Sequence, residues 1–417
     1  LFDGPDLLNQ LRPRLEENRE LLAEWFKQKR SEYPIPLYGS VDIRDSGWKI
    51  AAVDVNAFPA GFNNIEKEDL QRLIGPIRNW LDNEHPSSQL VLLWPESNTR
   101  NPGYAENVLV IKGLIKSAGR ECKVGSTELN DYTEIEALSG ALELSPVLKT
   151  SDGVLVNGKR PDLIITNNDL TSGKIPSGTI PVAPPQGLGW FQRKKSNHFR
   201  AVQPFIDEVA QLLKIDSWML GTHWFVSENK CLHWFVSENK CLDDESCRQA
   251  LANDVDNCLE LLRKKYRLLG IKGEPKLFVK NDSGTYGLGI LEISSGEELL
   301  KLSNRKKNKL TYGKGGAEVR DFLIQEGVPT RLKWGDYVIE PCMYSVGSDV
   351  DAWFYRANNK KGDLANLNTP STRFVGPSKL KLDVDGEKTL QHASGWHTLV
   401  AEIALLGLAA EIAELND

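Results

Sequence analysis

Residues 275–290, PKLFVKNDSGTYGLGI, constrain this chain more than any other stretch. Leu277, Phe278 and Val279 are an apolar, β-prone run and read as a buried strand that ends in Lys280. A loop with glycines at 284, 287 and 289 follows, and Ile290, Leu291 and Ile293 resume a strand. Glycine lacks a Cβ, so its backbone can take positive φ and let N–H groups converge on an anion. A lysine at the strand end adds a point charge that can reach the same anion. Lys280, Ser283, Gly284, Gly287 and Gly289 are therefore candidate phosphate ligands. The order is strand, lysine, glycine loop, strand. A Walker loop or a dinucleotide fingerprint would instead open a helix. An ordinary glycine-rich hairpin fits the same pattern.

At 417 residues the chain is expected to form two or three domains. A net charge of −6 excludes a broad nucleic-acid surface, so any anion site must be local. The six cysteines, at 122, 231, 241, 247, 258 and 342, contain no CxxC pair. Reduced thiols and a cytoplasmic setting are expected. No uninterrupted apolar run approaches the ~18 residues of a membrane span, so no membrane partner is expected. The chain begins at Leu1 rather than Met, and the native N-terminus is expected upstream.

Residues 5–30 read as an amphipathic helix ended by Pro34 and Pro36, giving an N-terminal segment over 1–34. Strands at 41–56 and 89–96 alternate with helices at 66–82 and 103–118, which predicts an α/β domain over 35–190. A helical linker region, with helices at 199–214 and 243–269, spans 191–270. A C-terminal α+β region, 271–417, holds the glycine loop and a final amphipathic helix. HWFVSENKCL occurs twice in succession, at 223–232 and 233–242. Solenoid repeats drift, and this copy does not. It reads as a duplication artefact or a surface-loop insertion, and no functional residue is taken from it.

Two N-terminal stretches look substrate-facing. One places Arg44, Asp54, Asn56, Asn63 and Asn64 at strand ends and in a loop. The other, WPESNTRNPGY, offers Glu96, Asn98 and Arg100. Arginine matches a substrate carboxylate by its planar fork, and Asp or Glu matches an ammonium. Asparagine turn chemistry accounts for such loops equally well. RKKSNHF, 193–199, is a basic cluster in which Lys195 can reach a phosphate or simply be solvated, and His198 reads as structural.

The glycine loop between two strands resembles the phosphate-covering loop of ATP-grasp enzymes. More of the chain resembles one family: the proteobacterial glutamate–cysteine ligases. The resembling segments are YGSVDIRDSGWKIAAVDVNAFPAGFNN, WPESNTRNPGYAEN, KLFVKNDSGTYGLGI, VIEPCMYSVGSDVDAWFYR and NLNTPSTRF. The resemblance implies an N-terminal α/β domain joined to a C-terminal ATP-grasp-like, glutathione-synthetase-like domain. It implies an enzyme that uses ATP and Mg²⁺ to join glutamate to cysteine through an acyl phosphate. Other ATP-grasp ligases, such as a glutathione-synthetase-like enzyme, and a non-catalytic nucleotide-binding protein are the alternatives. Under this resemblance Glu340, Cys342 and Asp349 sit where an adenine and ribose hinge would fall. Gln325 and Glu326 in FLIQEGVP compete for that role. Asp351, Asn366 and Asn368 supply oxygens for Mg²⁺, although the usual pattern is Glu-x-Asn and the pair here is Asn366-x-Asn368. Arg356 and Arg373 are candidates to hold the transferred phosphate, with Lys280 on the nucleotide.

Overall fold

The computed structural model describes residues 2–96, 101–222, 224–226, 230–232, 235–237, 245–282, 290–311, 322–347, 349–382 and 384–415. Ser283, Gly284, Gly287, Gly289, Asn98 and Arg100 lie outside the described residues. Among those described, three larger sheets and a two-stranded hairpin carry the architecture.

The central sheet is antiparallel. Its main path runs Arg373–Val375, Asp349–Asn358, Tyr337–Val346, Tyr38–Asp45, Ile50–Asn56. Tyr38 pairs with Val346 and Asp42 with Cys342. The first strands of the chain thus join the sheet of its last third. The expected boundary at residue 190 separates segments that share this ladder, so the sheets do not follow it.

Successive strand residues face opposite ways, and directly paired residues share a face. Val41, Ile43 and Met343 point to one side, where they pack with Leu399, Val400 and Ile403 of the helix Val384–Glu414. That helix is long and apolar enough to cross a membrane by composition, but 78% of its apolar window is buried inside the protein. The core accounts for its character. On the other face Tyr38, Cys342, Tyr344, Ala352 and Phe354 pack against the α/β layer. The same face carries Asp42, Arg44, Glu340 and Arg356 further along the strands. One face is therefore apolar at one end and charged at the other.

The α/β layer has Leu90–Pro95 at its centre, parallel to Glu121–Ser126 and Leu163–Asn167. Leu90 to Trp94 are all buried, as a strand covered on both faces requires. Leu73, Ile77 and Leu81 form the inner stripe of the helix Lys67–Glu84.

The small sheet orders Phe235–Ser237, Phe322–Glu326, Leu277–Asn281, Ile290–Ile293. Leu277, Val279, Phe322 and Ile324 pack on Val255, Leu259 and Leu262 of the helix Glu245–Leu269. By alternation Phe278, Lys280, Leu323 and Gln325 share the opposite face. The two copies of HWFVSENKCL pair differently. Trp224–Val226 forms a hairpin with Lys230–Leu232, whereas Phe235–Ser237 is an edge strand of the small sheet.

A buried ion pair helps tie the small sheet to the central one. Lys49, in the turn between the first two strands, meets Glu326 at 2.5 Å with both side chains fully buried. The Trp218 indole N–H donates to the same carboxylate at 3.2 Å. Burial pushes the Lys49 ammonium down to about 8 against the pull of Glu326. Removing one partner strands the other charge out of water, which typically costs about 3–5 kcal/mol. Glu326→Leu is expected to lose that much in urea unfolding, and the Lys49→Met/Glu326→Leu double variant to lose less. A double variant as damaged as the single one would show that packing, not charge, matters there.

Candidate active site

The charged end of the central sheet is built by register. Asp42 lies between Cys342 and Asp54, and Glu340 is paired with Arg356. Arg356 NH1 meets Asp42 Oδ2 at 2.5 Å and Glu340 Oε1 at 3.3 Å. Arg44 Nε takes the other Glu340 oxygen at 2.7 Å. Arg44 also donates to the Asp363 and Ala365 carbonyls at 2.7 and 2.8 Å. This brings the loop that leads into Asn366 and Asn368 to the edge of the charged face.

The ladder between Asp42/Asp54 and Ile43/Ala52 skips Val53, a β-bulge. Bulges re-aim backbone groups and recur beside active sites. The Val53 carbonyl lies 3.5 Å from Lys280 Nζ, which reaches over from the small sheet. Burial pushes the Lys280 ammonium down to about 8; Asp54 and Asp42 oppose the shift, and Lys195 and Arg44 add to it. Lys195 Nζ lies 3.8 Å from Asp54 and 4.1 Å from the Trp190 ring centroid. Burial lowers its pKa as well, with Asp54 opposing. Asp54 stays below the usual carboxylate range: burial raises it, but Lys195, Lys280, Arg193 and Arg356 together outweigh that.

Lys195 opens the helix Lys195–Leu213, which starts four residues before the expected 199. The cause is Asp282. Its carboxylate accepts from the Ser196 N–H at 2.7 Å and from the Ser196 hydroxyl at 2.6 Å, and its carbonyl accepts from the Lys195 N–H. A carboxylate there satisfies otherwise unpaired helix N–H groups and complements the dipole. The residue just before the glycine-rich 283–289 is thereby fixed to the helix that carries Lys195.

Below this lies a buried clamp. Arg193 donates twice to Glu411, at 2.9 Å each, and to the Val55 carbonyl at 3.0 Å. His198 Nδ1 lies 2.8 Å from Glu411, which fits its structural reading.

The remaining candidates separate. Asn56 shares the charged face, opposite Ser40. Asn63 and Asn64 sit in the short turn Phe62–Asn64, held by Asn107 Oδ1, which accepts from the Gly61 and Phe62 N–H groups. Glu96 follows the strand Leu90–Pro95, and one of its oxygens accepts from the Asp169 N–H at 2.6 Å. Open parallel sheets place ligands at such carboxyl ends. Asn366 and Asn368 are exposed, and Asn366 Oδ1 accepts from the Asn368 N–H.

Several expectations need correction. Arg44 is no substrate fork, because Glu340 and two carbonyls occupy it. Cys342 is no hinge residue: it is 1% exposed and pairs with Asp42 on one side and Phe354 on the other. Each Glu340 oxygen faces an arginine, Arg44 on one and Arg356 on the other. Asp349 pairs with Arg30 at 2.8 Å at the far end of the sheet. Asp351 lies beside it, five residues and about 17 Å of strand from Arg356. Arg373 is paired with Ala357, so it faces away from Arg356 and stacks on Tyr337 at 5.1 Å. Asp42, Arg193, Asp282 and Glu411 were missed. Strand alternation in VDIRD signals Asp42 beside Arg44, whereas nothing local marks Glu411.

An antiparallel sheet floor bearing paired acids and arginines, faced by two lysines from other elements, is the layout of a site for anionic substrates. A family profile for glutamate–cysteine ligase (GshA) matches residues 13–412. A crystal structure of a protein provisionally described as a γ-glutamylcysteine synthetase, from Methylobacillus flagellatus, superposes with a TM-score of 0.85. It is 30% identical, with 99% of this chain and 97% of that chain covered. D-alanyl-alanine synthetase A from Vibrio cholerae matches at 9% identity, with 74% of this chain and 80% of that chain covered, and a TM-score of 0.34, which carries no argument. Comparison with curated proteins gives no significant match. The protein is an enzyme of the ligase class. It belongs to the glutamate–cysteine ligase family.

Arg193 and the His198 contact pull the Glu411 carboxyl down to about 2 against its burial, from an ordinary 4.5. A depressed folded pKa gives stability that is present above 4.5 and lost as the pH falls toward 2. The shift corresponds to roughly 3 kcal/mol. Urea unfolding from pH 7 down to pH 2 should show a Glu411→Gln variant losing less stability than the parent by about that amount. Parallel curves would disprove the clamp.

Proposed function

We propose that this enzyme joins the γ-carboxylate of glutamate to the amine of cysteine at the expense of ATP, in an ATP-grasp-like cleft between the small sheet and the charged face of the central sheet. The observation that carries the reading is Lys280. It leaves the strand before the glycine loop and reaches the Asp42/Asp54 rows of the opposing sheet. A triphosphate lying along Lys280 and Lys195 would present its terminal phosphorus to a carboxylate bound over the floor. The sequence assigns further phosphate donors to 283–289.

The competition for the adenine hinge favours 322–329. Cys342 has no free ladder edge, whereas Phe235–Ser237 covers only 322–324. Gln325 shares the face of Lys280. Its Nε2 donates to Thr222, and among the described residues its Oε1 is buried without a hydrogen-bond partner, which suits an exocyclic amine as donor.

In the reaction, the γ-carboxylate oxygen attacks the terminal phosphorus and ADP departs. The cysteine amine then attacks the acyl phosphate and inorganic phosphate leaves. Both steps gather charge on oxygen, so the protein's work is positioning and electrostatic stabilisation. Arg356, anchored on Asp42 and Glu340, faces the acyl phosphate. Magnesium supplies charge neutralisation on the phosphates. Asn366 and Asn368 fit a water-rich, phosphate-held cation, not a dedicated cage: among the described residues no group of three His, Cys, Asp or Glu could hold a metal.

ADP formation should require glutamate and cysteine together. Turnover only with γ-glutamylcysteine plus glycine would instead mark a glutathione-synthetase-like enzyme. Lys280→Ala should cut kcat by about 30- to 1000-fold at unchanged Tm, the usual cost of one charge-assisted contact in the transition state. Full activity in that variant would remove Lys280 from the site.

A further inference from the structure

The central sheet gathers three carboxylates at the charged face, and two of them are spoken for. Glu340 has Arg44 on one oxygen and Arg356 on the other. Asp54 lies between Lys195 and Lys280. Asp42 differs. It is 7% exposed, its Oδ2 is held by Arg356, and among the described residues its Oδ1 has no hydrogen-bond partner. A buried carboxylate oxygen without a donor is costly unless something else supplies the proton or the donor.

We propose that Asp42 is the catalytic base that takes the proton from the attacking cysteine amine. The inference rests on the ligase reading given above. An acyl phosphate is attacked only by a neutral amine, and the α-ammonium of an amino acid is mostly protonated near neutral pH. One proton moves from the ammonium to Asp42 Oδ1, and the nitrogen lone pair forms the new C–N bond. The C–O bond to phosphate breaks and its electron pair leaves with the phosphate. The second nitrogen proton goes to that phosphate, so the products are the amide, hydrogen phosphate and one proton on Asp42. No oxidant or further reactant is needed.

The surroundings suit the role. Arg356, from the strand beyond Tyr337–Val346, fixes Oδ2 and leaves Oδ1 unpaired among the described residues. Glu340, Cys342 and Asp54 face Asp42 from the adjoining strands, Arg44 lies two residues along its own strand, and Lys280 faces it from the small sheet. Burial raises the Asp42 pKa, and Glu340 and Asp54 add to this while Arg356 opposes it. A raised carboxyl is the better proton acceptor.

Hydroxylamine separates chemistry from scaffolding, because it is already neutral at assay pH and needs no base. Asp42→Asn should lower kcat with cysteine about 100-fold more than it lowers glutamyl hydroxamate formation from hydroxylamine, because loss of the Arg356 anchor burdens both acceptors alike. The parent's kcat should fall on the acid side with cysteine, while with hydroxylamine any acid limb should follow only the protonation of hydroxylamine itself. This second measurement decides the matter even if the variant does not fold. Equal loss with both acceptors, unchanged turnover with cysteine, or the same acid limb with both would overturn the assignment. A parent enzyme that forms no ADP with glutamate and either acceptor would defeat the ligase reading itself, and the base with it.

Discussion

Two arginines and two acids that pair with one another make the charged end of the central sheet possible. Arg356 joins Asp42 to Glu340, and Arg44 closes the other side of Glu340. Charges this deep lose several kcal/mol each in hydration, and apolar side chains of similar volume are usually no less stable. The sheet itself shows that alternative. Further along the same face, Tyr38, Tyr344 and Phe354 pack on the α/β layer with no charge at all. The charged end is thus poorly explained by stability and well explained by a ligand.

The rest of the fold brings other elements to that end. The bulge at Val53 offers a carbonyl to Lys280, and Asp282, two residues later, caps the helix that starts with Lys195. Arg193 and Glu411 tie the start of that helix to the last helix of the chain and to the Val55 carbonyl. Lys49 and Glu326 fasten the small sheet at the end of its strand Phe322–Glu326. Elements from four parts of the sequence meet within one cluster, and each joint uses a charged side chain.

Local signals in the sequence carried much of this. Apolar runs such as LVLLW and LFV became strands covered on their faces, and the 3.6 spacing of Leu259, Leu262 and Tyr266 became a buried helix stripe. Lys280 at its strand end was legible because glycines and a lysine have few structural uses in that order. What the sequence hid was pairing. Nothing near Tyr38 announces Val346, 308 residues away, so the central sheet and its division into two ends were invisible. Arg44 and Cys342 were misjudged for that reason: residue type suggested a ligand, while long-range partners had already used the groups. Arg373 failed on a subtler point, since one residue of register sends a side chain to the opposite face.

The electrostatics of the cluster bear on what occupies it. Lys280 and Lys195 both sit below their ordinary pKa because burial costs each charge its water and because other cations stand near. Asp54 offsets part of this but is itself shared by both lysines and Arg193. A neutral ligand would displace the remaining water and add nothing in return, leaving the lysines further depressed. A polyanion would supply the counter-charge that the floor withholds, since Glu340 and one oxygen of Asp42 are committed to arginines. A ligand bearing several negative charges would satisfy these cations further, in keeping with the triphosphate and acidic amino acid of the proposed reaction.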